Sequence, residues 1–220
     1  MNEKRELNPY EGIWVSNEKR KKLWTKNLTP EKQFFGDFKG EYRFFDPRRS
    51  KLAAAIYNNV QPIPLKKKDK VLYLGAAHGY TPSFISDIVG KEGLVICIDF
   101  APRVVRELYL ICKERENMLP LLADANKPET YKEFIPEVDC IYQDIAQKNQ
   151  IEIVKKNSQF LKRKGYIFLA LKTRSIDVTK NPKTIYEEAQ REIRKDFKIL
   201  AMKSLNPWEK DHYFIVAQKY

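Results

Sequence analysis

Up to residue 46, aromatic and polar positions alternate in three short runs, Gly12-Ile13-Trp14-Val15, Lys22 to Thr29 and Glu41-Tyr42-Arg43-Phe44-Phe45. Period-two spacing between Asn-Pro and Thr-Pro turn signals predicts a small antiparallel sheet, too short to stand alone, with Trp14, Trp24, Phe34, Phe35 and Phe38 in its core. From Asp46 the spacing becomes helical: Ser50 is the expected N-cap of a helix through Ile56, with Lys51 in its first turn. Thereafter short apolar runs alternate with helical patterns. Val71 to Leu74, Leu94 to Ile98, a stretch ending at Leu122, Val138 to Asp144 and Gly165 to Lys172 are expected as buried strands. Phe84 onward, Ala101 to Ile111, Gln150 to Phe160 and Thr184 to Arg194 are expected as helices. Phe197 to Met202 and Asp211 to Gln218 form an expected closing antiparallel pair. The fold class is α/β, a doubly wound sheet over residues 47–220 preceded by a small antiparallel β domain over 1–46.

The first βα unit carries a chemical signal. Gly75 and Gly79 let the backbone turn closely past a ligand, and the new helix offers free N–H groups there. The Gly-x-x-x-Gly spacing, with Ala76 and His78 inside it, is neither a dinucleotide fingerprint nor a P-loop. Asp99, at the end of the second strand, is placed to accept a hydrogen bond from a ribose, and Phe100 to cover an adenine. With Asp124 and Ala125 after the third strand, an adenosine ligand is expected. The missing third Gly argues for S-adenosylmethionine over NAD.

Charge adds a partner. The 220 residues carry a net +12, and residues 1–70 hold 17 basic against 9 acidic side chains. Such an excess favours a polyanion, because neutralised phosphates release counterions. Cys97, Cys112 and Cys140 are widely spaced and only His78 and His212 are present, so neither a disulfide framework nor a metal site is expected. No apolar run approaches membrane-spanning length and no signal-peptide core opens the chain, so a cytoplasmic protein without membrane contact is expected.

Asp144 and Lys172 end buried strands at one sheet edge, and Lys51 approaches from the preceding helix. Such an edge can hold structural ion pairs. It can equally hold an acid/base set in which Lys172, beside a second cation and oriented by Asp144, takes the proton of a ribose 2′-hydroxyl as the oxygen is methylated.

Asp46-Pro47-Arg48-Arg49-Ser50-Lys51-Leu52-Ala53-Ala54-Ala55, the Gly75 turn with Thr81-Pro82-Ser83, Tyr142 to Gln147 and Lys172 to Asp177 closely resemble archaeal fibrillarin, a likeness that runs from about residue 40 to the C-terminus. The resemblance implies a Rossmann-like class I methyltransferase sheet and S-adenosylmethionine-dependent methylation of RNA ribose, rRNA and possibly tRNA, directed by a box C/D guide RNA. It implies two protein partners, a Nop-family scaffold and a kink-turn-binding ribosomal-type protein. Carried over, Tyr80, Thr81, Asp99, Phe100, Asp124, Ala125, Asp144, Ile145, Ala146 and Gln147 contact the cofactor, and Lys51, Asp144, Lys172 and His212 form a catalytic tetrad. Tyr80 stands where the family more often has Thr, and is expected to shape the end of the pocket; Asp99 stands where it more often has Glu. Two other readings are a standalone heat-shock-type rRNA 2′-O-methyltransferase and a non-catalytic particle subunit.

Overall fold

A computed structural model describes residues 4–17, 21–32 and 34–220, so the expected N-terminal sheet is followed from Lys4 onward, residues 1–3 lying outside. Its strands are β1 (Lys4–Glu6), β2 (Trp14–Asn17), β3 (Lys21–Lys26), β4 (Phe38–Lys39) and β5 (Tyr42–Phe44), all antiparallel in the order β1-β2-β3-β5-β4. Alternation sets the register: Trp14 lies opposite Trp24, and Trp24 opposite Phe44. Aromatic rings thus meet across strands, the usual unit of sheet stabilisation, with Trp24 and Phe44 centroids 5.7 Å apart. Of the five aromatics expected in the core, only Trp24 is fully buried; Trp14, Phe34, Phe35 and Phe38 are half-buried. A sheet this small covers too little surface to enclose them all.

The remainder is one seven-stranded sheet with helices on both faces. In chain order it comprises α1 (Lys51–Tyr57), β6 (Lys70–Leu74), α2 (Tyr80–Val89), β7 (Leu94–Asp99), α3 (Pro102–Cys112), β8 (Met118–Leu122), β9 (Val138–Gln143), α4 (Gln150–Asn157), β10 (Leu161–Lys172), the short α5 (Thr173–Ile176), α6 (Pro182–Ile193), β11 (Phe197–Ser204) and β12 (His212–Lys219). The strand order is β11-β12-β10-β9-β6-β7-β8. Strands β8, β7, β6, β9 and β10 are parallel, whereas β12 runs antiparallel between β10 and β11. The central runs are apolar on both sides because α1, α2 and α3 pack on one face and α4 and α6 on the other. β10 starts at Leu161, earlier than the expected Gly165; the exposed charges of Arg163 and Lys164 conceal that end of the strand from a hydrophobic pattern. Among the described residues, no helix is long and apolar enough to cross a membrane, and no cluster of three metal-ligating side chains occurs. The three cysteines are buried free thiols.

A buried polar knot fastens the N-terminal sheet to the larger one. Asp87 on α2 accepts from Arg43 of β5 (Nη2, 2.6 Å), Thr25 of β3 (2.7 Å), Arg115 (2.8 Å) and the Leu28 amide (3.1 Å). Both guanidinium groups and the carboxylate are almost completely withdrawn from solvent. Burial pulls the Arg43 guanidinium below its ordinary value, with the Asp87 charge opposing the shift.

Candidate active site

The site lies where the parallel strands end. After β6 the chain turns at Gly75, whose φ of +81° lies in the left-handed region; a Cβ there would run into the Asp144 carbonyl and the Ile145 side chain. Gly79, at φ +84°, precedes α2 as its N-cap. Within the turn, the Ala77 amide donates to one oxygen of Asp99 (3.0 Å), and the Ala101 amide donates to the other (3.0 Å). Asp99 is thus fixed by backbone on both sides, and each oxygen keeps a lone pair for a ligand hydroxyl.

These residues border a cavity of about 360 Å³, within the range of small-molecule sites. Gly75, Asp99, Phe100, Asp124, Ala125, Asp144, Ile145, Ala146 and Gln147 line it, as the sequence led us to expect. Phe100 is 67% exposed at its rim, an apolar face available to cover a base. Asp124 is held below the usual carboxylate range chiefly by the Asn126 amide, which donates to it at 2.9 Å. Asn126 in turn donates to Gln147 (2.8 Å), tying the third strand end to the fourth. The lining suits an adenosine-bearing ligand: acids at two strand ends, a glycine where a Cβ would intrude, and an exposed ring.

Four residues expected to contact the cofactor are absent from this lining. Ala76, Gly79, Tyr80 and Thr81 do not line the cavity. The Tyr80 ring packs against Phe35 and Phe84 and lies under the Arg49 guanidinium, 4.2 Å away, so an apolar cluster claims it in place of the pocket. Thr81 is buried, with its hydroxyl on Ser50 Oγ at 3.1 Å. Ala76 is fully buried and donates its amide to the Ile98 carbonyl. Gly79 faces Leu108 and Ile111 of α3. Conversely, Ala77, Ile98 and Ala123 line the cavity and carry no signal that sequence spacing could reveal.

The expected tetrad converges on one edge. Ser50 caps α1, accepting from the Ala53 amide (3.4 Å), which places Lys51 in the first turn. Lys51 Nζ then bonds Asp144 Oδ2 at 2.9 Å, with both side chains about three-quarters shielded. Lys172 ends β10 directly opposite His212, the first residue of β12. His212 Nδ1 lies 2.7 Å from the Lys210 carbonyl. One expectation is corrected here: Asp144 orients Lys51, not Lys172, whose ammonium has no partner among the described residues. α1 lays Lys51 across the end of β9, and that pairing satisfies the carboxylate.

Sequence reasoning also missed Gln150. Its fully buried side chain accepts from the Lys172 amide (3.0 Å) and donates to the Lys172 carbonyl (3.0 Å) and the Gln147 carbonyl (2.8 Å). Gln143 supports it from below by donating to the Gln150 carbonyl at 2.7 Å. Gln150→Leu leaves the Lys172 amide and carbonyl unpaired, which costs about 1–3 kcal/mol. We expect lower stability in urea and, because Gln150 also holds the carbonyl of the cavity residue Gln147, weaker ligand binding there, read by denaturation and titration on the same preparation.

The family model described as Fibrillarin matches residues 4–220. The "fibrillarin-like rRNA/tRNA 2′-O-methyltransferase" of Methanopyrus kandleri is 45% identical over 218 residues, covering 95% of this chain and 94% of that protein. Among solved structures, the Methanococcus jannaschii fibrillarin pre-rRNA processing protein superposes with a TM-score of 0.93 at 41% identity, over 100% of this chain and 99% of that one. A chain of a fibrillarin/Nop5p complex gives 0.88 at 39% identity, over 98% and 100%. Aeropyrum pernix fibrillarin with natively bound S-adenosyl-L-methionine gives 0.88 at 37% identity, over 99% and 100%.

Proposed function

The chain belongs to the fibrillarin family, and from that membership we propose that it transfers the methyl group of S-adenosylmethionine to the ribose 2′-hydroxyl of rRNA, as the catalytic subunit of a box C/D ribonucleoprotein particle. The relative from Aeropyrum holds the methyl donor and another is complexed with Nop5p, which supports both the cofactor and a Nop-family scaffold as partner. The reading extends to tRNA as a second substrate, to a guide RNA that selects the nucleotide, and to a kink-turn-binding protein in the same particle. We place the work in the cytoplasm, where buried free thiols stay reduced.

The observation that carries this reading is the Lys51–Asp144 pair at the cavity end, with Lys172 one strand further along and His212 two. S-adenosylmethionine, when bound, supplies a methyl group on a positively charged sulfur. Gly75, Asp99, Phe100, Asp124 and Gln147 would hold it, with Asp99 accepting a ribose hydroxyl. Lys51 is engaged by Asp144, which leaves Lys172 as the lysine of the four whose side-chain nitrogen has no partner among the described residues. Acting as its neutral amine, Lys172 takes the proton of the 2′-hydroxyl as that oxygen accepts the methyl group, Asp144 is held in place by Lys51, and His212 lies beside Lys172 across the strand pair. Positioning supplies most of the acceleration, because two reactants brought into line need little further chemistry. Residues 47–220 carry the reaction, and residues 1–46 brace it through Asp87.

Calorimetric titration tests the cofactor directly. The wild-type protein should bind S-adenosylmethionine saturably and NAD not at all, and Asp99→Ala should weaken donor binding by about 1–3 kcal/mol. NAD binding without donor binding refutes the assignment.

A further inference from the structure

The edge that carries Lys172 continues into a groove of about 540 Å³ that none of the tetrad residues lines. β11 runs parallel to β10, so Met202, Lys203 and Ser204 end at the same edge as Lys172. The register places Tyr213 opposite both Leu171 and Ser204. At about 4.8 Å per strand, the groove wall at Ser204 stands about 10 Å from the end of β10, a few nucleotides along a nucleic-acid strand.

The chemistry of its walls is of one sign. Lys183 and Lys203 line the groove and no acid does, whereas the cofactor cavity presents three aspartates and the groove between α4 and α6 three glutamates. Lys203 is fixed by the Asn59 carbonyl (2.7 Å) and the Asn58 carbonyl (3.4 Å), while Lys183, in the first turn of α6, has no partner among the described residues. Tyr186 and Tyr213 form the side wall, their ring centroids 4.3 Å apart, and Tyr186 is anchored by its hydroxyl on the Met202 carbonyl (3.3 Å). The lysines and the absence of an acid from the lining favour a polyanion as occupant.

We propose that this groove is an RNA subsite, holding the stretch of strand that flanks the nucleotide being methylated. Lys183 and Lys203 take phosphate oxygens, and the tyrosine pair packs against the sugar edge of the same strand, which stays accessible while its bases pair with the guide. The subsite would give the enzyme a purchase on RNA that is indifferent to sequence, leaving selection to the guide. It rests on the ribose-methylation reading above.

The test compares wild-type protein, Lys183→Glu, Lys183→Arg and Tyr186→Leu, each in the particle assembled with guide RNA and scaffold, over a salt series. Lys183→Glu should raise KM for target RNA about tenfold with kcat and donor binding unchanged, and should lower the slope of log affinity against log salt by about 0.9. Lys183→Arg should restore both. Tyr186→Leu should raise KM while leaving the salt slope alone, since a contact to sugar releases no counterions. A wild-type particle that binds donor yet methylates no RNA refutes the function itself. If wild type methylates and Lys183→Glu keeps both KM and slope, the subsite alone is overturned. Loss of scaffold from the Lys183→Glu particle also overturns it, by making the groove a protein site.

Discussion

Lys172→Ala is expected to lower methylation by about 100-fold or more at saturating S-adenosylmethionine, the usual scale for a positioned acid/base group. Its side-chain nitrogen has no partner among the described residues and accepts the proton as the neutral amine, at the end of β10 and clamped through its backbone by Gln150. Lys172→Arg should not rescue, because arginine keeps the charge but does not give up its proton. An active Lys172→Arg enzyme would make the position purely electrostatic. Asp144→Ala should lose a comparable factor by a different route, since Asp144 borders the cofactor cavity and is held by Lys51 at 2.9 Å. Its variant therefore needs donor affinity and turnover measured separately before the loss is divided between binding and chemistry. Lys51→Ala tests the corrected pairing: it should resemble Asp144→Ala in turnover, whereas a variant indistinguishable from wild type would make the pair incidental.

Asp87→Ala carries the largest expected cost to stability. It strips the carboxylate from two buried guanidinium groups, those of Arg43 and Arg115, and removing one partner of a buried ion pair typically costs about 3–5 kcal/mol. For a chain of this size that is a fall in Tm of about 10 °C. Limited proteolysis should cut first in the N-terminal sheet, because Thr25, Leu28 and Arg43 lose their shared acceptor on α2. Lys68→Ala, which breaks an exposed pair with Glu92, is the control and should leave Tm unchanged. An unchanged Tm in Asp87→Ala would mean that apolar contacts alone fasten the two sheets.

The parallel strands were legible because burial on both faces writes continuous apolar runs, as in Val71 to Leu74 and Leu94 to Ile98. β1 and β4 were not: Lys4-Arg5-Glu6 is wholly charged and Phe38-Lys39 is two residues long, so both depend on the partner strand and not on their own pattern. Asp99 could be read from its place at a strand end. Ala77, Ile98 and Ala123 could not, since a small or aliphatic lining residue differs in no way from a core residue until the chain is folded. Spacing located the edge at which Lys51, Asp144 and Lys172 meet but not which lysine holds the acid. Those partners lie 93 residues apart, and the angle of α1 over the sheet decides between them. The Asp87 knot was equally hidden, because nothing local to Ser86-Asp87 shows that an arginine of β5 and another from the segment between α3 and β8 close on it. Tyr80 stands after the glycine turn, and spacing alone did not show that its ring packs against Phe35 of the N-terminal segment and Phe84 of α2.

The central claim is guide-directed methylation of a ribose hydroxyl, and the most direct measurement follows a tritiated methyl group from S-adenosylmethionine into RNA. Reactions would contain the protein with and without guide RNA and scaffold, and the label would be mapped after nuclease digestion. Label at a single ribose 2′-oxygen opposite the guide, appearing only with guide and scaffold present and lost in Lys172→Ala, is the predicted result. Label on a base, or at the same riboses whether or not the guide is present, would contradict it.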